Sequence, residues 1–388
     1  MLDKGLCDRV VSFFLLFMSA HVLTILRPGM QATVQDAGRK GVRHYGVPAS
    51  GAVDELSYRI ANMLVGNTND EAALEILPGG FTARFERDAL IALTGARVVV
   101  TISDAKVQNR PVPLGRPVLV RSGSILSLTR YITGLRAYLA IAGGIDVERV
   151  LGSRSTYLYG RFGGFEGQAL KKDDKLSSGS ISELAGRIAM NVGMAAARRS
   201  RSWRSSGWFA TPWMAWATIG KPQQTRILRV VRGPQWGMFS PTSQSNFFSQ
   251  TFRVTWQADR MGIRLEPLSH DGFINGFIKR STEHGTVAPR EMLSTAVLAG
   301  VVQIPAQGAP ILLLADAQTT GGYPIIATVC SVDMARAGQL APGDTVQFEE
   351  ITLDTAHALL RNRERVLALM RFGIEDAAAK VIQMRIEN

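Results

Sequence analysis

The sequence predicts a mainly β fold with a few helices, and three observations carry that expectation. Between Phe81 and Ala142 the chain reads as a run of short strands, FTARF, ALIALTG, RVVVTIS, PVLV, SILSLT and RAYLAIAGG. Apolar and polar residues alternate in them, and turns recur about every 8–12 residues, as in an antiparallel barrel or sandwich. Helices do not alternate with these runs at βαβ spacing, which disfavours a Rossmann-like sheet. A second strand-rich block follows, RILRVVRG, TFRVTW, GVVQIP, PILLLAD, IIATVCSV and DTVQF. The two blocks close on similar phrases, Asp174-Lys175-Leu176 and Gly343-Asp344-Thr345-Val346, a hint of two related barrels.

In chain order, residues 1–20 are a tail. Val10–Ala20 (VVSFFLLFMSA) follows Lys4 and Arg9 and superficially resembles a signal peptide, but Asp3 and Asp8 neutralise its basic end and Met-Ser-Ala is a poor cleavage site. It is shorter than the roughly 20 residues a membrane span needs. The preferred reading is a misplaced start with translation from Met18; export is the second. The first barrel domain is expected over 21–176. Within it His21–Leu26 is a strand ended by Pro28-Gly29, and Gln31–Ala52 is a glycine-rich loop of the length that carries function. Asp54 caps a helix running to about Val65, with Leu56, Ile60, Met63 and Leu64 on one face and Gly66 as its stop.

Residues 177–225 change character and are read as a basic, Ser- and Trp-containing linker or insertion holding Arg198, Arg199, Arg201, Arg204, Trp203, Trp208, Trp213 and Trp216. The second barrel domain spans 226–350. Thr352 or Asp354 caps a helix in 351–388 with a stripe of Ala356, Leu359, Leu360, Leu367 and Met370, and a separate short helix covers about Glu375–Ile386.

The chain has 388 residues, 46% hydrophobic and 20% charged, which suits two globular domains and excludes a disordered or disulfide-stapled chain. Its two cysteines, Cys7 and Cys330, make no CxxC pair, and Cys330 in ATVCSV reads as a buried small hydrophobe. The net charge of +12 comes without aromatic RNA-binding patterns or zinc-finger spacing, so no nucleic-acid partner is expected; the surface suits anionic ligands or an acidic partner. There is no GxxxxGK[ST], HExxH, GxSxG or post-strand GxGxxG motif. His21, His44, His270, His284 and His357 never take metal-ligand spacing, and no metal is expected.

Three polar clusters remain. The first runs from Gln35 and Asp36 through Arg39, Ser50 and Gly51 to Asp54. Its glycines let backbone approach a ligand, the helix start favours an anion, and Arg39 can clamp a carboxylate or phosphate. The alternative is that Asp36 and Arg39 pair and pin a long loop. The second, Asp259-Arg260-Met261-Gly262-Ile263-Arg264, follows a strand and reads by itself as a surface turn. The third, Asp316-Ala317-Gln318-Thr319-Thr320-Gly321-Gly322-Tyr323, is delivered by the buried run PILLLA, and Gln318, Thr319 and Thr320 add hydrogen-bonding capacity that a turn does not need.

At these phrases the chain resembles a known family. RPGMQATVQDAGRKGVRHYGVPASGAVDELSYRIANMLVGN, LGSRSTYLYGRFGGFEGQAL, ADRMGIRL and GVVQIPAQGAPILLLADAQTTGGYP are similar to the allophanate hydrolase subunit 2 family. That family is also called KipA or the biotin-dependent carboxyltransferase family, and it includes the C subunit of bacterial 5-oxoprolinase (PxpC). The resemblance runs from about His21 to Phe348. It implies two cyclophilin-like β-barrel domains and a KipI-like (PxpB) partner. With a LamB/YcsF-like (PxpA) subunit, such complexes hydrolyse 5-oxo-L-proline to L-glutamate at the expense of ATP, in the cytoplasm and with no membrane partner. It leaves two alternatives: the carboxyltransferase component of a biotin-dependent urea or amide carboxylase, for which biotin would be the cofactor, and a non-catalytic KipA-type antagonist of a KipI-like inhibitor. The chain departs from the family pattern at Ala317, where Arg is usual, at Gln168 in Gly167-Gln168, and at Asp173-Asp174.

The expected chemistry is lactam opening, in which phosphorylating the carbonyl oxygen makes it a leaving group, work suited to backbone N–H groups and arginines. Asp36 and Asp316 are the candidates for a base or water-orienting group. Arg39, Arg260 and Arg264 are the anion ligands, and Gln35, Ser50, Gly51, Asp54, Gln303, Gln318, Thr319, Thr320, Gly321, Gly322 and Tyr323 complete a pocket for a small anionic substrate. The loops 35–54 and 316–323 are expected to converge on that single pocket. ATP is bound by this chain or by the complex.

Overall fold

Where apolar side chains alternate along the sequence, strands pair so that one face of each is removed from water. The computed structural model describes residues 21–105, 109–194, 202–210, 224–269, 280–282, 285–287 and 292–386. The tail 1–20, Arg198, Arg199, Arg201, Trp213, Trp216, His270 and His284 lie outside the described residues.

The first unit is an 11-stranded sheet made of β1 (Leu23–Arg27), β2 (Ala32–Gln35), β3 (Ala73–Ile76), β4 (Phe81–Phe85), β5 (Ala89–Ser103), β6 (Arg110–Pro111), β7 (Val118–Val120), β8 (Ile125–Ile141), β9 (Ile145–Asp146), β10 (Lys175–Ser178) and β11 (Trp203–Ser205). The runs ALIALTG and RVVVTIS are one strand, β5, and SILSLT and RAYLAIAGG are largely one strand, β8. The glycines that read as turns are bends inside the strands. Gly95 (φ +85°) sits where the β5–β8 register shifts, and a Cβ there would collide with the Arg136 carbonyl. Helix α1 (Glu55–Leu64) has Asp54 at its N-cap, as the sequence predicts, and buries Ile60 and Leu64 against the sheet.

Part of 177–225 is built into this unit. Strand β11 pairs with β7, and α2 (Glu183–Met194) packs Ile188 and Val192 into the same cluster as α1. Each fully buried side chain of this size contributes about 1.5–3 kcal/mol.

The second unit is a closed barrel with α3 (Pro241–Ser249) inserted between its first two strands. Its strands are β12 (Arg226–Arg232), β13 (Phe252–Ala258), β14 (Gly262–Pro267), β18 (Val301–Gln303), β19 (Ile311–Leu313), β21 (Ile325–Val329) and β22 (Thr345–Glu350), in the order β12-β21-β18-β19-β14-β13-β22. Beside it lie two ribbons, β15 (Arg280–Thr282) with β16 (Gly285–Val287), and β17 (Thr295–Ala296) with β20 (Thr320–Gly321). Only the β12–β22 pair of the barrel is parallel. Phe247 and Phe348 stack at 4.5 Å in its core, with Phe252 beside them, and Cys330 is buried as expected.

After the short α4 (Met334–Ala337), the C-terminal segment is a single 34-residue helix, α5 (Leu353–Ile386), where the sequence suggested two. The Thr352 hydroxyl accepts from the Thr355 amide, and Leu367, Ile374 and Ala378 form the buried side of the helix. Asn191 donates to the carbonyls of Ala377 and Ala378, and Arg59 pairs with Glu364 at 2.7 Å, which binds α5 across α1 and α2. Asp354, Arg361, Arg365, Arg371 and Glu375 lie on its exposed side. Among the described residues no helix is long and apolar enough to cross a membrane.

Candidate functional site

The loop 35–54 of the first unit meets the turns of the barrel along a buried polar seam. The Ser50 amide donates to the Ala315 carbonyl at 3.1 Å, and Arg43 donates to the Val297 carbonyl. Arg260, from the tight turn between β13 and β14, lies at the centre. Its Nε and Nη2 bind the two carboxylate oxygens of Asp316 at 2.8 and 3.1 Å, Nη1 binds Glu75 at 2.5 Å, and Nη2 also donates to the Gly51 carbonyl at 2.6 Å. Burial opposes the Arg260 charge, but Asp316 and Glu75 outweigh it and hold the guanidinium protonated. Burial likewise opposes the Glu75 charge, but Arg260 and Arg136 bring its pKa below the ordinary carboxyl value. The Glu75 carboxylate also accepts from the Tyr138 hydroxyl at 2.7 Å and the Val53 amide at 3.0 Å.

Asp54 is fully buried and occupied as a cap. It accepts from the Ser57 amide and hydroxyl, and from Gln339 of the second unit at 2.7 Å. Burial raises its pKa, the Glu75 carboxylate adds to this, and the bonds from Gln339 and Ser57 offset it only in part. Gly51 (φ +89°) has a backbone that only a residue without a side chain adopts easily, and a Cβ there would meet the Gly38 amide at 2.9 Å.

Asp36 and Arg39, three residues apart, do not bond to each other. Asp36 accepts from the Gly38 and Arg154 amides and from the Ser153 and Ser155 hydroxyls, so its lone pairs are occupied in pinning the 153–156 segment. Arg39 donates to the Ser155 carbonyl and lies 4.7 Å from the Phe162 ring centroid. Among the described residues its Nε and Nη1 have no hydrogen-bond partner, and neither do the Ser50 hydroxyl or Gln35 Oε1, all of them buried. Burial lowers the Arg39 pKa even with Asp36 and Asp316 nearby.

The loops thus converge, but on a seam. A cavity of about 480 Å³ opens on the barrel side and takes none of its described lining from residues 35–54. Asp316 and Gln318 flank Ala317, whose methyl is packed among Val297, Val301, Leu313 and Ile325. Asp316 binds Arg260 on the seam, while Gln318 lines the cavity with Arg264, Gln303 and Tyr323. Thr319, Thr320, Gly321 and Gly322 are not among the described lining; Thr320 and Gly321 form the β17–β20 ribbon.

Gln303 is buried and donates to the Tyr323 carbonyl at 3.2 Å. Asp259 holds the turn by accepting from the Met261 and Gly262 amides. Arg264 is the one Lys or Arg among the described lining residues, and it is exposed. Neither Arg264 nor Gln318 has a side-chain hydrogen bond or ion pair among the described residues.

The sequence reading missed Trp256. Strand parity from Phe252 and Val254, both buried, would turn it inward, yet it is 89% exposed at the cavity. The β13–β14 register explains this. Val254 pairs with Leu265 and Ala258 with Ile263, so Thr255, Trp256 and Gln257 oppose Arg264 alone. Such a bulge re-aims its side chains. The available signal was an aromatic residue placed just before the Asp-Arg-Met-Gly turn. Among the described residues, no three His, Cys, Asp or Glu side chains come together to hold a metal ion.

Residues 45–350 match the model of the carboxyltransferase domain, subdomains A and B. The chain is 36% identical to the 5-oxoprolinase C subunit of Escherichia coli over 344 residues, covering 89% of this chain and 96% of that protein. It is 32% identical to the 5-oxoprolinase C subunit of Haemophilus influenzae, over 92% of this chain and 99% of that protein. Among solved structures, the urea carboxylase of Kluyveromyces lactis superimposes with a TM-score of 0.72 at 28% identity, over 90% of this chain but 29% of that one. The loop phrases, the fold and these matches agree, and the chain belongs to the carboxyltransferase family built of subdomains A and B.

Proposed function

We propose that this chain is a subunit of an ATP-dependent 5-oxoprolinase that hydrolyses 5-oxo-L-proline to L-glutamate in the cytoplasm, together with a KipI-like (PxpB) and a LamB/YcsF-like (PxpA) subunit. The observation that carries this reading is the 36% identity to a 5-oxoprolinase C subunit over 96% of its length. The cavity is compatible with it: about 480 Å³ suits a small ligand, and Arg264, unpaired among the described residues, offers a cation for a carboxylate.

Arg264 is the one Lys or Arg among the cavity's described lining residues, with Asp259 beside it, a balance that suits a single carboxylate better than a triphosphate. Under this reading ATP belongs to the partner subunits. Asp36 and Asp316 act as positioning residues, because their oxygens are already bonded.

The likeness to urea carboxylase favours a second reading, a component that transfers a carboxyl group from a biotin-bearing partner to an amide. Reconstitution separates the two. Mixing the three purified subunits with 5-oxo-L-proline and ATP is expected to yield L-glutamate; no glutamate, together with carboxylation of an amide by a biotin carrier, would replace the first reading with the second.

A further inference from the structure

We infer that the cavity on the second barrel recognises a planar ring containing a cis-amide, with Trp256 as its stacking face and Gln318 as its reader. This deepens the proposed function and rests on it only for the identity of the substrate.

The bulge that places Thr255, Trp256 and Gln257 opposite Arg264 leaves a tryptophan 89% exposed beside a concave site. A large flat apolar surface in that position is suited to covering a flat ligand. Gln318 presents a carbonyl and an N–H₂ side by side, with no partner for either among the described residues. An open-chain secondary amide is almost always trans, so its N–H and C=O point to opposite edges. A ring forces the cis arrangement and puts both on one edge, where a carboxamide pairs with them through two hydrogen bonds. Arg264, across the bulge from Trp256, adds a charge-assisted contact for a ring that also bears a carboxylate.

Two ligands share this chemistry, a lactam bearing a carboxylate and a cyclic urea such as the ureido ring of biotin. Gln303, also in the lining, is held by the Tyr323 carbonyl, which leaves Gln318 as the adaptable reader.

Calorimetric titration of the full chain with 5-oxo-L-proline, 2-imidazolidinone, L-proline and L-glutamate tests the inference. Binding of either cis-amide ring, at least about tenfold tighter than L-proline or L-glutamate, is the expected result. Trp256→Ala and Gln318→Leu should each weaken it by about tenfold. Arg264→Gln should weaken 5-oxo-L-proline but not 2-imidazolidinone, and tighter binding of 2-imidazolidinone would point to the ureido source.

Equal binding of L-proline, no binding of either ring, or wild-type affinity in both Trp256→Ala and Gln318→Leu would overturn the assignment. Kinetics of the reconstituted complex keep the two claims apart. Glutamate formation with an unchanged KM in both variants sinks this inference and leaves the proposed function standing. Ring binding that depends on both residues, without any glutamate formed by the complex, does the reverse.

Discussion

Arg260 grips both carboxylate oxygens of Asp316, at 2.8 and 3.1 Å, while a further nitrogen binds Glu75 from the other unit at 2.5 Å. Four residues on, Arg264 is exposed and unpaired among the described residues. The turn and the strand that follows it therefore carry one buried, paired arginine and one exposed arginine at the cavity. Arg260→Met leaves two buried carboxylates without their shared cation and is expected to cost about 3–5 kcal/mol. Arg264→Gln should change stability by no more than about 0.5 kcal/mol. Urea denaturation of the two variants checks the contrast.

Arg39 should behave differently from Arg260 although both are buried. It holds one carbonyl and the Phe162 face, and two of its nitrogens have no partner among the described residues. Arg39→Met keeps most of the packing and loses a hydrogen bond and a cation–π contact, about 1–3 kcal/mol together. A loss as large as that of Arg260→Met, measured the same way, would mean that Arg39 has a partner beyond those described.

Gly51 and Gly41 both have positive φ, +89° and +75°, but only Gly51 is crowded, by the Gly38 backbone. Alanine at Gly41 should cost about 1–2 kcal/mol for the left-handed backbone alone. Gly51→Ala should cost about 1–3 kcal/mol more, because backbone has to move. Thermal melts of the pair give the difference directly.

The seam also predicts a pH dependence. The folded-state pKa of Glu75 lies below its unfolded value near 4.5, because Arg260 and Arg136 outweigh the effect of burial. The stability it contributes is therefore fully present above that value and is lost as pH falls through the lower, folded-state pKa. Asp54 has the opposite sign. Burial raises its folded-state pKa, so its contribution declines as pH rises from near 3.8 through the raised value. Glu75→Gln should flatten the acid limb of a plot of denaturation midpoint against pH, whereas Asp54→Asn should steepen the net acid loss.

What the sequence made legible follows from local physics. The Asp54 cap, the α1 face and most strand runs were readable because capping chemistry and period-two burial act over a few residues. Gly95 misled because a glycine bend inside a paired strand has the same local signature as a turn. The site was half legible. Arg264, Gln318 and Tyr323 do line one cavity, but Asp36, Asp54, Asp316 and Arg260 are occupied with one another, with backbone, or with side chains such as Ser155 and Gln339. Which polar residues remain unpaired is decided by partners such as Ser155 and Gln339, more than a hundred residues away in the chain. Trp256 was hidden for a similar reason: its exposure depends on a bulge defined only by pairing with β14.

The most direct test is the KM for 5-oxo-L-proline of the complex reconstituted from all three subunits and carrying Arg264→Gln. Loss of a charge-assisted contact to the substrate carboxylate should raise KM by about tenfold or more while the complex still assembles. A KM equal to that of the wild-type complex would contradict the placement of the substrate in the second barrel.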